Sequence, residues 1–261
     1  MEWFDAGVNC FDPRLPLDET IQSAKDANVN RMCVIATSPE EWQPSLDSVK
    51  RYSEQLCCTI GIHPHYADKA PSDFATQISN LAKSERIAAI GECGLDYNRM
   101  FSSRENQLSV FEQQLELARD LGLPVYLHER DAFDDQISLL TRYISQLRGG
   151  LAHCFTSHKA HLKAYLDLGL FIGITGWVCD PKRGEDLREA LQYLPLDRIV
   201  LETDSPYLFP KGLKPRQRNN QPAFLPFIAE RVAALKGVSV EQLNQASIIN
   251  TNMLLWRDYE Y

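Results

Sequence analysis

The sequence predicts a (β/α)8 TIM barrel, and three observations predict it. Eight short apolar runs alternate with longer amphipathic runs from one end of the chain to the other. The short runs are rich in Val, Ile, Leu and Ala and bounded by Gly, Pro or Asn, as strands buried on both faces should be. No linker or composition shift interrupts the alternation, and no Gly-rich turn follows the first run, which disfavours a doubly wound open sheet. Residues 1–261 therefore read as one domain.

The expected strands are 3–9, 32–37, 57–63, 87–92, 124–128, 150–153, 170–176 and 199–204. Between them, Leu108, Phe111, Leu115, Ala118 and Leu121 recur at intervals of three and four and make one apolar helix face. Ser102 with Glu105 reads as a capping box opening that helix, and Gly122 closes it. Leu225, Ile228, Val232 and Leu235 repeat in the same way, with Pro222 near the start and Gly237 after the end. Ser239 with Gln242 opens a last helix that runs to about Leu255.

Composition bounds the function. The 261 residues carry 27 basic and 35 acidic side chains, a formal charge of −8, which argues against a broad basic platform for duplex nucleic acid. It leaves room for an anionic substrate in a locally basic cleft. The seven cysteines are odd in number and contain no CxxC pair, so they suit a reducing compartment rather than a disulfide framework. The acidic start of the chain lacks a secretory signal, and the apolar stretch at 168–179 is too short and too broken by glycine to span a membrane. A cytoplasmic protein is expected.

Catalytic groups of such a barrel stand at the C-terminal ends of its strands. Of six histidines in the chain, four (His63, His65, His128 and His153) fall at expected strand ends, beside Glu92 and Asp204. Imidazoles and carboxylates arriving from different strands are what a divalent cation needs. Glu92, His128, His153 and Asp204 are therefore the expected metal set. Each alone also reads as a satisfied core histidine or an ion-paired carboxylate. His63 and His65 project to one side if their strand continues through Pro64. They stand between two readings, substrate or metal contacts and a rigid polar turn. His158 and His161, three apart after Thr156 and Ser157, read as a solvated helix face. Arg99, Arg104, Arg130, Lys182, Arg183, Lys211, Lys214, Arg216 and Arg218 all follow strand ends. A basic rim there favours phosphate.

Several motifs together resemble one family. Gly91-Glu92-Cys93-Gly94-Leu95-Asp96, His128 with Arg130-Asp131, His153-Cys154-Phe155-Thr156 and Glu202-Thr203-Asp204-Ser205-Pro206 are similar to the motifs of the TatD family of metal-dependent deoxyribonucleases. Asn250-Thr251-Asn252-Met253-Leu254-Leu255 resembles its closing helix. The resemblance implies an amidohydrolase-like barrel and phosphodiester hydrolysis by metal-activated water. It implies Glu92, His128 and His153 as metal ligands and Asp204 as a ligand or the base. The expected metal is Mg2+, with Mn2+ or Zn2+ compatible with the histidine pair. His63, His65 and Arg130 are the expected substrate contacts. The expected substrate is single-stranded DNA or RNA taken from an end, and the family suggests 3′ to 5′.

The chain departs from the family where most members carry Asp-x-His-x-His. It reads Asp5-Ala6-Gly7-Val8-Asn9, as the TatD subgroup itself does, which weakens a second metal position. Ser157 and Gln221 also stand where glycine and glutamate are usual. Two alternatives remain open at this level. One is an amidohydrolase or esterase acting on a small molecule or aminoacyl-tRNA. The other is a decayed barrel acting as a binding module.

Overall fold

A computed structural model describes residues 1–256. All eight expected strands form: β1 (Trp3–Val8), β2 (Val29–Ala36), β3 (Leu56–Ile60), β4 (Ala89–Asp96), β5 (Val125–Arg130), β6 (Gly150–Ala152), β7 (Phe171–Ile174) and β8 (Ile199–Leu201). They make one sheet in the order β1-β2-β3-β4-β5-β6-β7-β8. A parallel bridge from Val8 to Ser205 returns the segment after β8 to the end of β1. Sequential order with that return is the topology of the predicted (β/α)8 barrel. The α-helices are α1 (Leu17–Asp26), α2 (Pro39–Arg51), α3 (Phe74–Leu81), α4 (Arg104–Leu121), α5 (Phe133–Tyr143), α6 (Lys159–Asp167), α7 (Glu185–Leu191), α8 (Leu225–Lys236) and α9 (Val240–Thr251).

The chain divides into two compact units interleaved in sequence. One holds Met1–Val34, Cys154–Leu166 and Phe171–Met253. Its core includes Phe4, Val8, Met32, Tyr165, Ile172, Leu201, Ile228 and Leu243, all buried. The other holds Ile35–His153, Asp167–Leu170 and, of the described residues after these, 254–256. Its core includes Trp42, Leu46, Ile60, Phe74, Ile78, Ile90, Phe111, Leu115 and Tyr126. The cysteines are free thiols, buried except for the half-buried Cys154.

Helix ends mostly follow the sequence signals. Gly122 and Gly237 take left-handed φ values of 64° and 66° and close α4 and α8. Ser239 and Gln242 form the expected capping box on α9. The α4 cap lies one residue later than expected: Ser103, not Ser102, accepts from the Asn106 amide. Ser102 is buried and otherwise engaged. Its hydroxyl accepts from Asp68 N at 3.0 Å and donates to His65 O at 3.0 Å, tying α4 to the segment that carries His65. Tertiary demand has taken the first serine and left the second to cap.

Strand ends differ as well: β8 stops at Leu201 rather than 204, β7 stops at Ile174 rather than 176, and β2 starts at Val29 rather than 32. β4 runs four residues beyond Glu92, because Gly94, Leu95 and Asp96 keep pairing with His128, Glu129 and Arg130 of β5. β3 stops at Ile60, and His63 instead precedes a 3-10 turn over Pro64–Lys69.

Candidate metal centre

The site is built where β4, β5 and the turn after β3 converge. Gly91 and Gly94 let β4 approach β5 closely. Their φ values are 142° and 138°, and a Cβ at either would collide with the carbonyl oxygen of Tyr126 or of His128. The strand register shifts between Ile90 and Cys93, and the Gly91–Glu92 peptide is cis. Glu92 lies inside this irregular stretch, where a bulge re-aims a side chain.

Four side chains meet there. His63 Nε2, Glu92 Oε1 and His128 Nδ1 each offer one ligand atom within 4.8 Å of the others. His128 Nδ1 lies 2.9 Å from Glu92 Oε1 and 3.3 Å from His63 Nε2. His153, just past β6, holds Nε2 3.9 Å from the same glutamate oxygen. The His153 Nδ1 is 2.8 Å from the Tyr126 hydroxyl, which fixes the ring with Nε2 toward Glu92.

Asp96 braces the cluster from the far end of β4. Its Oδ2 is 2.8 Å from His65 Nε2 and 3.2 Å from His128 Nε2. Its Oδ1 accepts from the amides of Asn98 and Arg99. His65 N in turn donates to His63 Nδ1 at 3.1 Å, which leaves His63 Nε2 turned to the cluster.

Burial and charge oppose each other at these groups. Burial drives His63 down to about 3, so its imidazole is neutral at physiological pH. Burial also disfavours charge on His128, but hydrogen bonds to Asp96 and Glu92 outweigh it and carry that ring to about 9. Burial alone would raise Glu92, yet His63, His128 and His153 around it hold it below its usual range. Asp96 is lowered in the same way, its burial outweighed by His128, His65 and backbone amides.

Three buried glutamines bind the backbone of the strand ends and the turn that carry the site. Gln107 of α4 accepts from Asp96 N at 2.8 Å and donates to Asp96 O at 3.0 Å. Gln114 of α4 does the same for Ile62 N and O. Gln136 of α5 accepts from Leu95 N and donates to His128 O. Buried peptide groups must be paired.

Asp204 belongs to the other unit. It follows β8 with a left-handed φ of 53°, and its amide donates to Gly7 O. Asn9 Nδ2 donates to Asp204 Oδ1 at 2.9 Å and to Ser205 O at 3.1 Å. The residue standing in place of the family's second histidine thus orients the aspartate. Asp5 is fully buried and accepts from Gly7 N, Thr203 N and the Thr203 hydroxyl. Burial outweighs these bonds and pushes its carboxyl up to about 7.

The basic residues divide. Arg130 is exposed at the end of β5, and Arg104 is paired with Asp135 at 2.6 Å. Lys211 and Arg183 both bind Asp180, at 2.8 and 2.9 Å. Lys214, Arg216 and Arg218, with Phe209 and Leu213, line a hollow of about 790 Å³ in the segment before α8. No acidic residue occurs between Asp204 and Glu230. His158 is exposed, and His161 bonds Ser157 at 2.8 Å, which fits a helix-surface role.

The donors suit a divalent ion of borderline softness: the carboxylate of Glu92 and the imidazoles of His128 and His153, each ring held from behind, by Asp96 and by Tyr126. Sequence reasoning missed Asp96 and the three glutamines. Asp96 had a usable signal, being four residues from Glu92 and hence on the same side of a continuing strand. The glutamines had none, since a buried amide on a helix looks like any surface glutamine.

Known proteins resemble this chain over nearly its whole length. Residues 4–256 match the family described as TatD related DNase. The curated "3'-5' ssDNA/RNA exonuclease TatD" of Klebsiella pneumoniae is 42% identical over 259 residues, 98% of each chain. The protein of that name from Erwinia tasmaniensis is 41% identical over 255 residues, covering 96% of this chain and 98% of its own. Among solved structures, YJJV, a TatD homolog from Escherichia coli K12, superposes with a TM-score of 0.86 at 26% identity, over 97% of both chains. A TatD family hydrolase from Entamoeba histolytica shares the fold, with a TM-score of 0.88 at 23% identity over 98% of both. The chain belongs to the TatD related DNase family.

Proposed function

We propose that this protein is a divalent-metal-dependent exonuclease that removes nucleotides from the 3′ end of single-stranded DNA or RNA. The observation that carries the reading is the meeting of His63, Glu92 and His128 at one point, in a chain of this family. Relatives at 41–42% identity bear the name 3'-5' ssDNA/RNA exonuclease. The donor cluster favours an enzyme over a barrel that has lost its chemistry.

Glu92, His128 and His153 would hold the ion, with His63 beside them; its Nδ1 accepts from His65 N, so the neutral ring carries its proton on Nε2 and donates to a group at the site. When bound, the ion supplies a Lewis acid for a phosphoryl oxygen and lowers the pKa of the attacking water. Tyr126 keeps His153 facing Glu92, and Asp96 keeps the His128 ring in place. Asp204, its Oδ1 held by Asn9, takes the proton from water. His65 and Arg130 contact the substrate, Arg130 by neutralising charge on phosphate. Mg2+ is the physiological ion in this reading, and the imidazoles also accommodate Mn2+ and Zn2+.

No helix among the described residues is long and apolar enough to cross a membrane. With the free thiols, this supports a cytoplasmic enzyme. Neither unit is a continuous stretch of chain, which supports residues 1–261 as one domain.

The test is digestion of end-labelled single- and double-stranded oligonucleotides with Mg2+, with Mn2+ and with EDTA, beside a panel of amides and lactones. Stepwise shortening from the 3′ end of single strands, abolished by EDTA and by Glu92→Gln, is expected. Turnover of an amide or lactone with intact oligonucleotides would overturn the reading.

A further inference from the structure

The loop between β4 and α4 presents an apolar surface to water beside the metal centre. Phe101 is 61% exposed and Met100 48%, and Tyr66 on the preceding turn is 42% exposed. Single exposed apolar side chains are ordinary, but here the Phe101 ring meets His65 and the Tyr66 ring meets His63, two histidines of one polar cluster. The Phe101 ring stands 4.9 Å from the ring of His65, at 85° to it. His65 binds Asp96, and Asp96 binds His128. A chain of direct contacts therefore joins the exposed ring to the His63, Glu92 and His128 cluster.

The loop is anchored at its root and open at its tip. Asp96 Oδ1 accepts from Asn98 N at 3.0 Å and from Arg99 N at 2.9 Å. The Ser102 hydroxyl, tied to His65 O and Asp68 N, fixes the other end. Phe101 is thus held in place without being buried. The Arg99 guanidinium lies 5.6 Å from its ring centre, so a cation accompanies the aromatic face. An aromatic face with an adjacent cation is the pairing that binds single-stranded nucleic acid, one for the base and one for its phosphate.

We propose that Phe101 is the surface on which the terminal base of the substrate stacks, with Arg99 beside it for a phosphate. The inference rests on the nuclease reading above and adds a base-binding subsite to it. Stacking of this kind discriminates a base from no base but hardly one base from another.

The test compares oligonucleotides that differ only at the 3′-terminal residue, one carrying its base and one abasic. The wild-type protein should favour the complete end in kcat/KM by about 5- to 150-fold, the worth of one base-on-aromatic stack. In Phe101→Ala that preference should vanish through a higher KM for the complete end, with kcat kept. Phe101→Trp should restore it. A terminal 2-aminopurine, read with a chelator present to stop cleavage, should be quenched on binding the wild type and not Phe101→Ala. Equal discrimination by wild type and Phe101→Ala, or none in the wild type, would overturn the proposal. If the wild type cleaves neither oligonucleotide, the nuclease reading has failed instead.

Discussion

Asn9 shows how one substitution changes what a position does. A histidine there would offer a ring nitrogen to a cation, whereas the amide of Asn9 offers a donor and gives it to Asp204 at 2.9 Å. The loss of a ligand is the gain of a brace. A hydrogen bond to a charged group is worth about 1.5–3 kcal/mol, and the acceptor is the proposed base. Asn9→Ala should therefore lower kcat roughly 10-fold or more while KM for an oligonucleotide holds. Asn9→Asp should be worse, because two carboxylates would face each other. Steady-state kinetics on a short single strand decides it, and an unchanged kcat in both variants would remove Asn9 from the mechanism. The sequence revealed the departure at Asn9 but not its partner, since the two residues are 195 positions apart.

At the level of elements, the site depends on helices that never touch the proposed ion. Gln136 of α5 accepts from Leu95 N and donates to His128 O, two groups at the far end of the β4–β5 ladder. Gln136→Leu keeps an apolar helix face but removes two buried hydrogen bonds. A buried hydrogen bond contributes about 0.5–1.5 kcal/mol, so urea unfolding should show a loss of about 1–3 kcal/mol with an unchanged slope. A loss below ~1 kcal/mol would mean that water replaces the amide. The strands themselves were legible in the sequence because a run buried on both faces is apolar throughout. Their ends were not. β4 continues to Asp96 because Gly91 and Gly94 permit close packing on β5, and β3 ends early because Pro64 opens a 3-10 turn.

For the whole molecule, the contrast is between net and local charge. The chain carries −8 overall, yet Lys214, Arg216 and Arg218 line a hollow in a stretch of chain without an acidic residue. A polyanion attracted there displaces counterions, so its binding weakens with salt. Replacing the three with alanine should flatten the slope of log K against log salt concentration by about 2, as each single-strand phosphate contact contributes about 0.7. The probe is anisotropy of a labelled, hydrolysis-resistant single strand. Removing Lys25, Lys50 and Arg119, which lie in the last turns of α1, α2 and α4, is the matched control and should leave the slope nearly unchanged. Equal slopes in the two triple variants would show attraction by charge in general.

Periodicity was sufficient, read along the chain, to place this protein in its fold, and strand-end chemistry singled out Glu92, His128 and His153, whose side chains the fold brings near one another. Those properties are local: each strand carries its own burial pattern and its own terminal side chain. What folding alone decided is which atoms meet. It brought His63 Nε2 into the cluster, set Asp96 behind His128, put Asn9 on Asp204 and left Phe101 facing water beside His65. Such contacts join segments far apart in the chain, and their partners follow from packing geometry rather than from the spacing of residues.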